Sequence, residues 1–545
     1  MKRKIAATIL SVCMVLGLAG CGADAQSQTG ETVVTDEEAA EETVVTDEEA
    51  EEETAGAETE IEEETTEPVT IRLEGSNIST PNPFRHTTRG PGIFRTWLLY
   101  DSLLEKDENG DIPWLAKDWD VSEDGTVYTF YLEEDACWHD GEPLTAEDVA
   151  FTFDYYREHL PVYHSLLADG EYIVDKTEAI DDHTVEITLT HFDNTFLSSI
   201  GMARIIPKHI WENIEDPAAY DGEGVTVGSG PYMLDSYDAE QGAYRYVAFE
   251  DYWGLTPAAE AIEWVPVSDS VLAFENEEID LLNASADLLS RYENDSQYTV
   301  KSVSSLHSFR LMMNMEAVPE FLDVNVRKAI AYAINCQELI DTVSRGAGTV
   351  SSMGYVPMES AWYNSDTVQY DYDPQKAEEL LDGQTYSFKL LTDNSADSTK
   401  TAEMIKIYLA EVGIDVTIES VESKTRDNAI TTGEYELLLN YIGGMGGDPD
   451  YLRDVYGQEA GTIRGWSNET VAELLTAQAV EQDTAAREEM IDEVQEIISD
   501  EVPMIMLYGK VVNYVYRQDK YDGWMCRYDH NMLDHNKLSY LIREE

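Results

Sequence analysis

Histidine and cysteine are the residues of this chain that most readily bind metals or act as nucleophiles, and their spacing favours neither role. Of the ten histidines, only His159 with His164 and His530 with His535 are near neighbours, and a spacing of five does not place two imidazoles on one helix face. The sequence has no HExxH, GxSxG or CxxC pattern. Carboxylates are so frequent that no pair stands out as a general acid and base. We therefore predict that the protein is not an enzyme and uses no metal or cofactor.

A glycine-rich run at residues 439–451 is the best candidate for direct contact with a small ligand. It has four glycines within five positions, which allows the backbone to approach a bound molecule closely. A plain glycine-rich surface loop is the alternative. The candidate contact residues in this run are Asn440, Tyr441, Gly444, Met445 and Asp448.

Aromatic and charged residues elsewhere are further candidates. Trp362 and Tyr363 follow a proline within residues 355–363, where an indole can stack on a ligand or cover it. Core packing is the alternative for Trp362. Trp466 is another candidate wall residue. Arg310 stands among apolar residues and can either anchor a ligand carboxylate or form a structural ion pair.

The composition of the chain limits its partners. Its 109 acidic and 35 basic residues give a formal net charge of −74. Such a field repels phosphate backbones and anionic lipid surfaces, which excludes nucleic acid as a partner. With 43% hydrophobic residues the chain can still build a core. Beyond the N-terminal region the cysteines are too few for a disulfide framework, and we expect free thiols at Cys137, Cys336 and Cys526.

The first residues carry the pattern of an exported lipoprotein. Basic residues at positions 2–4 precede an apolar run at 5–18 that is too short to span a membrane. Small residues then lead to Cys21, as in a bacterial lipobox. We predict that residues 1–20 are removed and that Cys21 is lipidated. An ordinary signal peptide with an incidental cysteine is the alternative.

The segment after Cys21 has the composition of a disordered linker. Residues 24–67 include nineteen acidic residues and no Lys or Arg, and residues 31–39 recur identically as residues 42–50. High charge with few large apolar groups does not offset the entropy of ordering a chain. We predict an extended tether; a cation-binding or partner-binding tail is the alternative.

The elements that must position the candidate residues alternate between strands and helices. The densest local signal is an Asp124-Gly125 turn, a β-branched and aromatic run at 126–132, and a variant capping box of Thr145 and Asp148 that starts a helix at Ala146. Further strands or extended segments are predicted at 69–73, 180–189, 306–314 and 414–418. Further helices are predicted at 98–104, 326–334, 372–381 and 401–412.

The same residues resemble a known family. Asp124-Gly125, Tyr128, Phe130, Leu132 and residues 138–153 are similar to the wording "DG..ytF.L...v.fhDG.plTAeDVafTf" of the peptide/nickel-binding family, family 5, of extracellular solute-binding proteins of ABC importers. The run VGSGPY at 227–232 matches the family's "GTGPY" with Ser for Thr. The resemblance implies an α/β fold of the periplasmic-binding-protein type II, with two lobes, an extra domain inserted in lobe I and a ligand cleft between the lobes.

The resemblance also implies a division of the chain. The predicted segments are a signal peptide at 1–20, the lipidated cysteine and linker at 21–67, lobe I at 68–100, 205–305 and 503–545, the inserted subdomain at 101–204, and lobe II at 306–502.

The glycine-rich run departs from the family's pattern at one functional position. The family's peptide binders hold the α-ammonium of the ligand with an Asp about three residues before an Asp-Pro pair, and Met445 occupies that place here. A buried ammonium without a partner is costly. Asp448 or another carboxylate is left to substitute for the missing acid.

The function that the resemblance implies is solute capture without chemistry. We expect a monomeric receptor, lipid-anchored at the extracellular face of the cell membrane, that binds a peptide-like or other small solute. It would deliver that solute to an ABC permease driven by a separate ATPase. One alternative is a receptor of the same fold for an oligosaccharide or a metal chelate. Another is a surface receptor that senses its ligand without transport.

Overall fold

The strand, turn and capped helix predicted from residues 124–153 are all present in the computed structural model. The strand is Val127–Leu132, and its side chains alternate between half-buried and buried. The helix is Ala146–Glu158, and the backbone N–H of Thr145 donates to Oδ2 of Asp148 at 3.0 Å, which is one half of the predicted capping box. The structure describes residues 69–87, 90–168, 170–443, 447–457 and 462–543. The predicted signal, Cys21 and linker lie outside these ranges.

The described residues form nineteen strands and thirteen α-helices. The strands are β1 (Thr70–Glu74), β2 (Leu104–Lys106), β3 (Asp111–Pro113), β4 (Ala116–Val121), β5 (Val127–Leu132), β6 (Leu167–Ala168), β7 (Glu171–Tyr172), β8 (Val174–Asp181), β9 (Thr184–Leu189), β10 (Tyr232–Asp238), β11 (Ala243–Ala248), β12 (Ala261–Val265), β13 (Leu281–Ala284), β14 (Thr299–Met313), β15 (Gly348–Val350), β16 (Tyr386–Asp393), β17 (Ile414–Val421), β18 (Leu437–Ile442) and β19 (Met504–Tyr516). The helices are α1 (Gly90–Trp97), α2 (Ala146–Glu158), α3 (Phe196–Ile200), α4 (Lys208–Trp211), α5 (Ser270–Glu275), α6 (Val324–Ala333), α7 (Cys336–Val343), α8 (Pro374–Leu381), α9 (Ala396–Glu411), α10 (Ser423–Thr432), α11 (Tyr451–Tyr456), α12 (Glu469–Gln478) and α13 (Thr484–Glu501).

These strands form five sheets, of which two are the small pairs β2-β3 and β6-β7 and three are larger. One has the order β1-β12-β11-β10, with β1 parallel to β12 and the other pairs antiparallel. A second has the order β4-β5-β9-β8 and is antiparallel throughout. The largest has the order β13-β19-β14-β18-β16-β17, with β15 also paired to β19. Its β16–β17 pair is parallel and flanks α9, which is the helix-to-strand crossover expected of an α/β fold.

Two large hydrophobic cores lie at opposite ends of the long strands β14 and β19. The first core draws on residues 71–281 and 514–540, and includes Phe130, Trp138 and Phe196. The second core draws on residues 309–508. Strands β14 and β19 pass from one core to the other and are paired on both sides of an irregularity. The predicted lobe boundaries remain a prediction, but the two cores give them a physical basis.

An irregularity marks the crossing of β14. Its pairing with β19 shifts register between Ser304 and Ser308, so residues 305–307 stand opposite Lys510 alone. Leu306 in this bulge has a φ of 53°, the left-handed conformation that a non-glycine residue rarely adopts. The bulge lies where the strands leave the first core, and it carries Leu306 and His307 out of the regular ladder.

One predicted helix is wrong. Residues 98–104 form a turn and an extended segment leading into β2, and the helix lies before them at Gly90–Trp97. The backbone of this segment is paired elsewhere: the carbonyl of Leu98 accepts from the N–H of Tyr232 at 3.1 Å, and that of Leu99 from the N–H of Gly230 at 2.9 Å. These distant partners outweigh the local apolar spacing.

The VGSGPY run bends just before β10, which is an edge strand. A Cβ on Gly228 would lie 1.8 Å from the carbonyl oxygen of Leu99, so only glycine fits there. His139 from the strand–helix unit is inserted beside it: the N–H of Gly228 donates to Nδ1 of His139 at 3.1 Å. Two motifs that lie far apart in the sequence therefore form one packed joint.

Two further observations concern the cysteines and the membrane. Cys137, Cys336 and Cys526 are unbridged and half-buried, which agrees with the prediction of free thiols. In the part of the chain that the structure describes, no helix is both long and apolar enough to cross a bilayer.

Candidate functional site

A cavity of about 490 Å³ opens between residues associated with the two cores. Its walls combine two aromatic rings, short polar side chains and three carboxylates. The lining residues are Glu108, Asn109, Ser198, Tyr528 and Asn531 on the side of the first core, and Leu306, Glu359, Ser360, Ala361, Trp362, Gly447 and Asp448 on the side of the second. A pocket of this size, with an aromatic wall and a few polar groups, has the properties of a small-molecule site.

Trp362 is held in the cavity wall by its backbone and its ring. Its N–H donates to Oγ of Ser360 at 3.2 Å, and its carbonyl accepts from Nε2 of Gln495 at 2.8 Å. The guanidinium carbon of Arg487 lies 5.0 Å from the centre of the indole. This is cation–π distance, so Arg487 fixes the ring from behind.

Asp448 lines the same cavity but is already neutralised. Its Oδ2 accepts from Nη1 of Arg487 at 2.7 Å and its Oδ1 from Nη2 at 2.5 Å, a bidentate ion pair. The Arg487 side chain is 6% exposed and that of Asp448 22%. An ammonium ligand at Asp448 would therefore compete with a bound guanidinium.

Glu108 and Glu359 are the cavity's unpaired carboxylates. Both side chains are exposed, and within the described residues neither makes a salt bridge or a side-chain hydrogen bond. No Lys or Arg is among the described residues that line this cavity. Coulomb attraction at partly screened sites therefore favours a ligand with positive charge.

A buried ion cluster supports the cavity beneath Tyr528. Lys106 pairs with Asp529 at 3.0 Å, and Arg527 pairs with the same carboxylate at 3.1 Å. Burial opposes ionisation of Asp529, but Arg527 and Lys106 outweigh it and lower its pKa to about 2. The cluster keeps a fixed charge arrangement across the pH range in which the protein works.

The structure places the other predicted site residues away from this cavity. Arg310 is buried in the large sheet, where its Nε donates to Oδ1 of Asn440 at 2.8 Å, so the two are structural partners. Trp466 lines a separate cavity of about 620 Å³ on the second core and donates to Glu501 at 2.7 Å. Tyr363 packs against the second core. Gly444 and Met445 lie outside the described residues.

Tyr441 also lies off the main cavity. Its hydroxyl is 3.0 Å from Oγ of Ser305, and its ring stands 5.6 Å from that of His307. It lines a third cavity, of about 470 Å³, together with Lys510 and Asp397. Burial raises the pKa of Tyr441 to about 12. Its contacts are those of the β14 bulge.

Several residues that shape the site were missed from the sequence. Arg487 is the only basic residue of α13, a helix with seven acidic residues, and that isolation is the signal that could have identified it. His530 and His535, whose spacing of five does not bring them together on one α-helix, do meet in the structure, since Nε2 of His530 is 2.8 Å from Nδ1 of His535; neither lines this cavity. Among the described residues, no group of three or more His, Cys, Asp or Glu side chains is placed to hold a metal ion.

Comparison with known proteins gives the fold and the family. Residues 112–462 match the model of the bacterial extracellular solute-binding proteins, family 5. The dipeptide-binding protein of Escherichia coli is 27% identical over 438 residues, covering 74% of this chain and 81% of the relative. The nickel-binding periplasmic protein of Escherichia coli is 27% identical over 399 residues, covering 68% and 75%.

A solved structure extends the likeness to nearly the whole chain. The ABC transporter substrate-binding protein CtaP from Listeria monocytogenes superimposes with a TM-score of 0.76 at 24% identity, over 87% of this chain and 98% of that one. Likeness at this identity shows the fold. It confirms the predicted α/β fold of the periplasmic-binding-protein type.

Proposed function

Because the chain belongs to the bacterial extracellular solute-binding proteins of family 5, we propose that it captures a small solute with a positively charged group in the 490 Å³ cavity and delivers it to a membrane permease. The family binds solutes for ABC importers and performs no catalysis, so the prediction that the protein is not an enzyme is confirmed. The solute itself is the part that we propose.

The observation that carries the proposal is the charge of the cavity. Glu108 and Glu359 face it without cationic partners, whereas Asp448 is neutralised by Arg487. A peptide whose ammonium pairs with Glu108 or Glu359 fits this arrangement, with Trp362 covering an apolar part of the ligand. Glu108 or Glu359 would then supply the ion pair that Met445 cannot.

A cationic metal complex is the second candidate. The nickel-binding relative supports it, and the same two carboxylates favour it. A neutral oligosaccharide would use the aromatic and short polar groups of the cavity but gain nothing from the carboxylates. The solute that copurifies with the protein, released by unfolding and identified by mass spectrometry, distinguishes these classes.

The role of charge is tested by removing it. Glu359→Gln and Glu108→Gln should each weaken binding of trialanine in calorimetry by roughly tenfold, the cost of one partly exposed charge-assisted hydrogen bond. Glu489→Gln, an equal loss of charge at an exposed position on α13, is the control. If all three variants bind trialanine with equal affinity, Glu108 and Glu359 are not part of the binding site.

We also propose attachment through a lipid at Cys21 on the extracellular side of the cell membrane, and action as a monomer. The support is the sequence before Cys21 together with the extracellular location of the family. Detergent phase partitioning of the natural protein and of Cys21→Ser tests the anchor: the variant should move to the aqueous phase.

Transport and sensing remain to be distinguished. Delivery to a permease is favoured because the relatives are binding proteins of importers. A sensor without transport would be indicated if no permease gene lies beside the gene for this protein and if its deletion leaves solute uptake unchanged.

A further inference from the structure

We propose that Asn194 is a positioning residue for closure, joining the first core to the end of helix α12 and through it to the wall of the cavity. The inference rests on the proposed function for its importance, because closure matters only when a solute is captured. Its physical basis is independent of which solute that is. We call the contact of Asn194 with residues 478–481 the Asn194 clasp.

The loop that carries Asn194 is fixed by contacts with the first core and by hydrogen bonds within the loop. Oδ1 of Asp193 accepts from the N–H of Thr195 at 2.7 Å and from its hydroxyl at 2.6 Å, and Phe196 is fully buried in the first core. Asp193 is itself buried. Anchored on both sides, the loop presents the amide of Asn194 outward.

The receiving surface is the C-terminal end of α12. The last carbonyls of a helix have no partner within it and carry the negative end of its dipole. Asn194 supplies donors to three carbonyls here. Its backbone N–H donates to the carbonyl of Ala479 at 3.0 Å, and its Nδ2 donates to the carbonyls of Gln478 at 2.8 Å and Glu481 at 2.6 Å.

A second, weaker contact lies beside the clasp. Nε2 of Gln482 donates to the carbonyl of Asp124 at 3.4 Å. Asp124 belongs to the turn before β5, so this bond also links the first core to the segment after α12. All these contacts are hydrogen bonds. Each contributes little net free energy, because water can replace the partner, so the contact can form and break as the protein closes and opens.

The clasp continues to the cavity through one side chain. Gln478, fully buried, accepts from Asn194 with its backbone and from Nε of Arg487 with Oε1 at 2.9 Å. Arg487 in turn holds Asp448 and stacks on Trp362, which line the cavity. A solute that moves Trp362 or Asp448 therefore acts on the residue that receives the clasp.

Two substitutions distinguish this role from simple packing. Asn194→Asp keeps the size of the side chain but replaces its donor with a carboxylate facing two carbonyl oxygens. Asn194→Ala removes the donor without repulsion. Asn213→Asp, at an exposed position bonded only to Glu212, adds the same charge without touching α12 and is the control.

The direct measurement is the distance between spin labels at Asp182 and Glu488, both exposed, on the first-core and second-core sides of the clasp. Labels would be placed in the full chain with Cys13, Cys21, Cys137, Cys336 and Cys526 changed to serine. We expect Asn194→Asp to shift the main distance population longer by roughly 5 Å or more, with Asn194→Ala intermediate and Asn213→Asp unchanged. An unchanged distribution for Asn194→Asp overturns the proposal, as does an equal shift for Asn213→Asp.

Binding of trialanine supplies the functional readout. Its dissociation constant should rise roughly tenfold in Asn194→Asp and stay unchanged in Asn213→Asp, with both variants folded by circular dichroism. Equal affinity of Asn194→Asp and the natural protein overturns the coupling to the cavity. If trialanine binds neither protein, the proposal of a peptide ligand fails. The label distances alone then test whether the Asn194 clasp holds the two sides together.

Discussion

At the scale of single residues, Trp362 is the best measure of whether the cavity is the binding site. Its ring forms the wall and is fixed by Arg487. Trp362→Ala should weaken binding of the copurified solute by roughly tenfold while leaving the unfolding midpoint nearly unchanged, because the indole is only half-buried. Isothermal calorimetry measures the affinity.

Trp466→Ala is the matched control for this prediction. It removes another half-buried indole of the second core, but one that lines a different cavity. Its affinity for the solute should equal that of the natural protein. If Trp466→Ala weakens binding and Trp362→Ala does not, the site lies in the 620 Å³ cavity instead.

A second residue-scale prediction concerns Glu105, buried in the first core. It pairs with Lys537 at 2.7 Å and with Arg204. Burial opposes its charge, but Arg204 and Lys537 outweigh that and lower its pKa from 4.5 to about 2. A lowered folded-state pKa stabilises the protein above the unfolded value, and this stabilisation is lost as the pH falls from 4.5 to about 2.

Glu105→Gln should therefore lower the free energy of unfolding by about 3 kcal/mol at neutral pH, since it leaves buried cations short of a partner. Its stability should also fall less steeply than that of the natural protein as the pH drops from 4.5 to about 2. Urea denaturation at several pH values tests both. Glu134→Gln, which removes an exposed pair with Lys117, should change stability by less than about 0.5 kcal/mol.

Charge pairing also explains why the site was only partly predictable from the sequence. Trp362 and Asp448, two of the predicted ligand contacts, both line the cavity, and proline and glycine patterns mark their loops locally. That Asp448 is neutralised by Arg487, 39 positions away, has no local signature. The same is true of Arg310, whose partner Asn440 is set by the register of β14 against β18.

At the scale of elements, the joint between the VGSGPY run and residues 98–100 is a point of close backbone contact. Gly228→Ala would place a Cβ 1.8 Å from a carbonyl oxygen, which cannot be relieved by moving a side chain. We expect a loss of about 3 kcal/mol in the free energy of unfolding. Thermal and urea denaturation measure it.

Gly141→Ala provides the comparison. Gly141 has a φ of 87°, and no atom lies within 4 Å of the position that a Cβ would take, so alanine there meets conformational strain but no clash. Its cost should be about 1 kcal/mol. Equal losses at the two glycines would mean that strain, and not the close approach to Leu99, explains the need for glycine at position 228.

The elements themselves were predictable where their signals are local. The helix beginning at Ala146 follows from its capping residues, and the helix predicted at 326–334 is α6, which buries Val326, Ile330 and Ala331. The strand β19, Met504–Tyr516, is continuous across Gly509 because it pairs with β14 on both sides of that glycine. The helix predicted at 98–104 failed because its carbonyls serve distant partners.

At the scale of the whole molecule, the dominant property is a net charge of −74. Repulsion between like charges destabilises a compact chain and is screened by salt. Raising sodium chloride from about 10 mM to about 500 mM should therefore raise the thermal unfolding midpoint by a few degrees. Differential scanning calorimetry tests this; a midpoint that falls with salt would mean that attractive ion pairs outweigh the repulsion.

The two strands that join the cores also restrict how the molecule can move. They pair from Thr299 opposite Tyr516 to Ser304 opposite Val511, and again from Ser308 opposite Gly509 to Met312 opposite Met504, with a second register shift between Phe309 and Arg310. Two chain crossings bonded side by side cannot twist independently or slide past one another. We therefore expect the cores to move relative to one another by bending at residues 305–307, so that each closure brings the same two surfaces together.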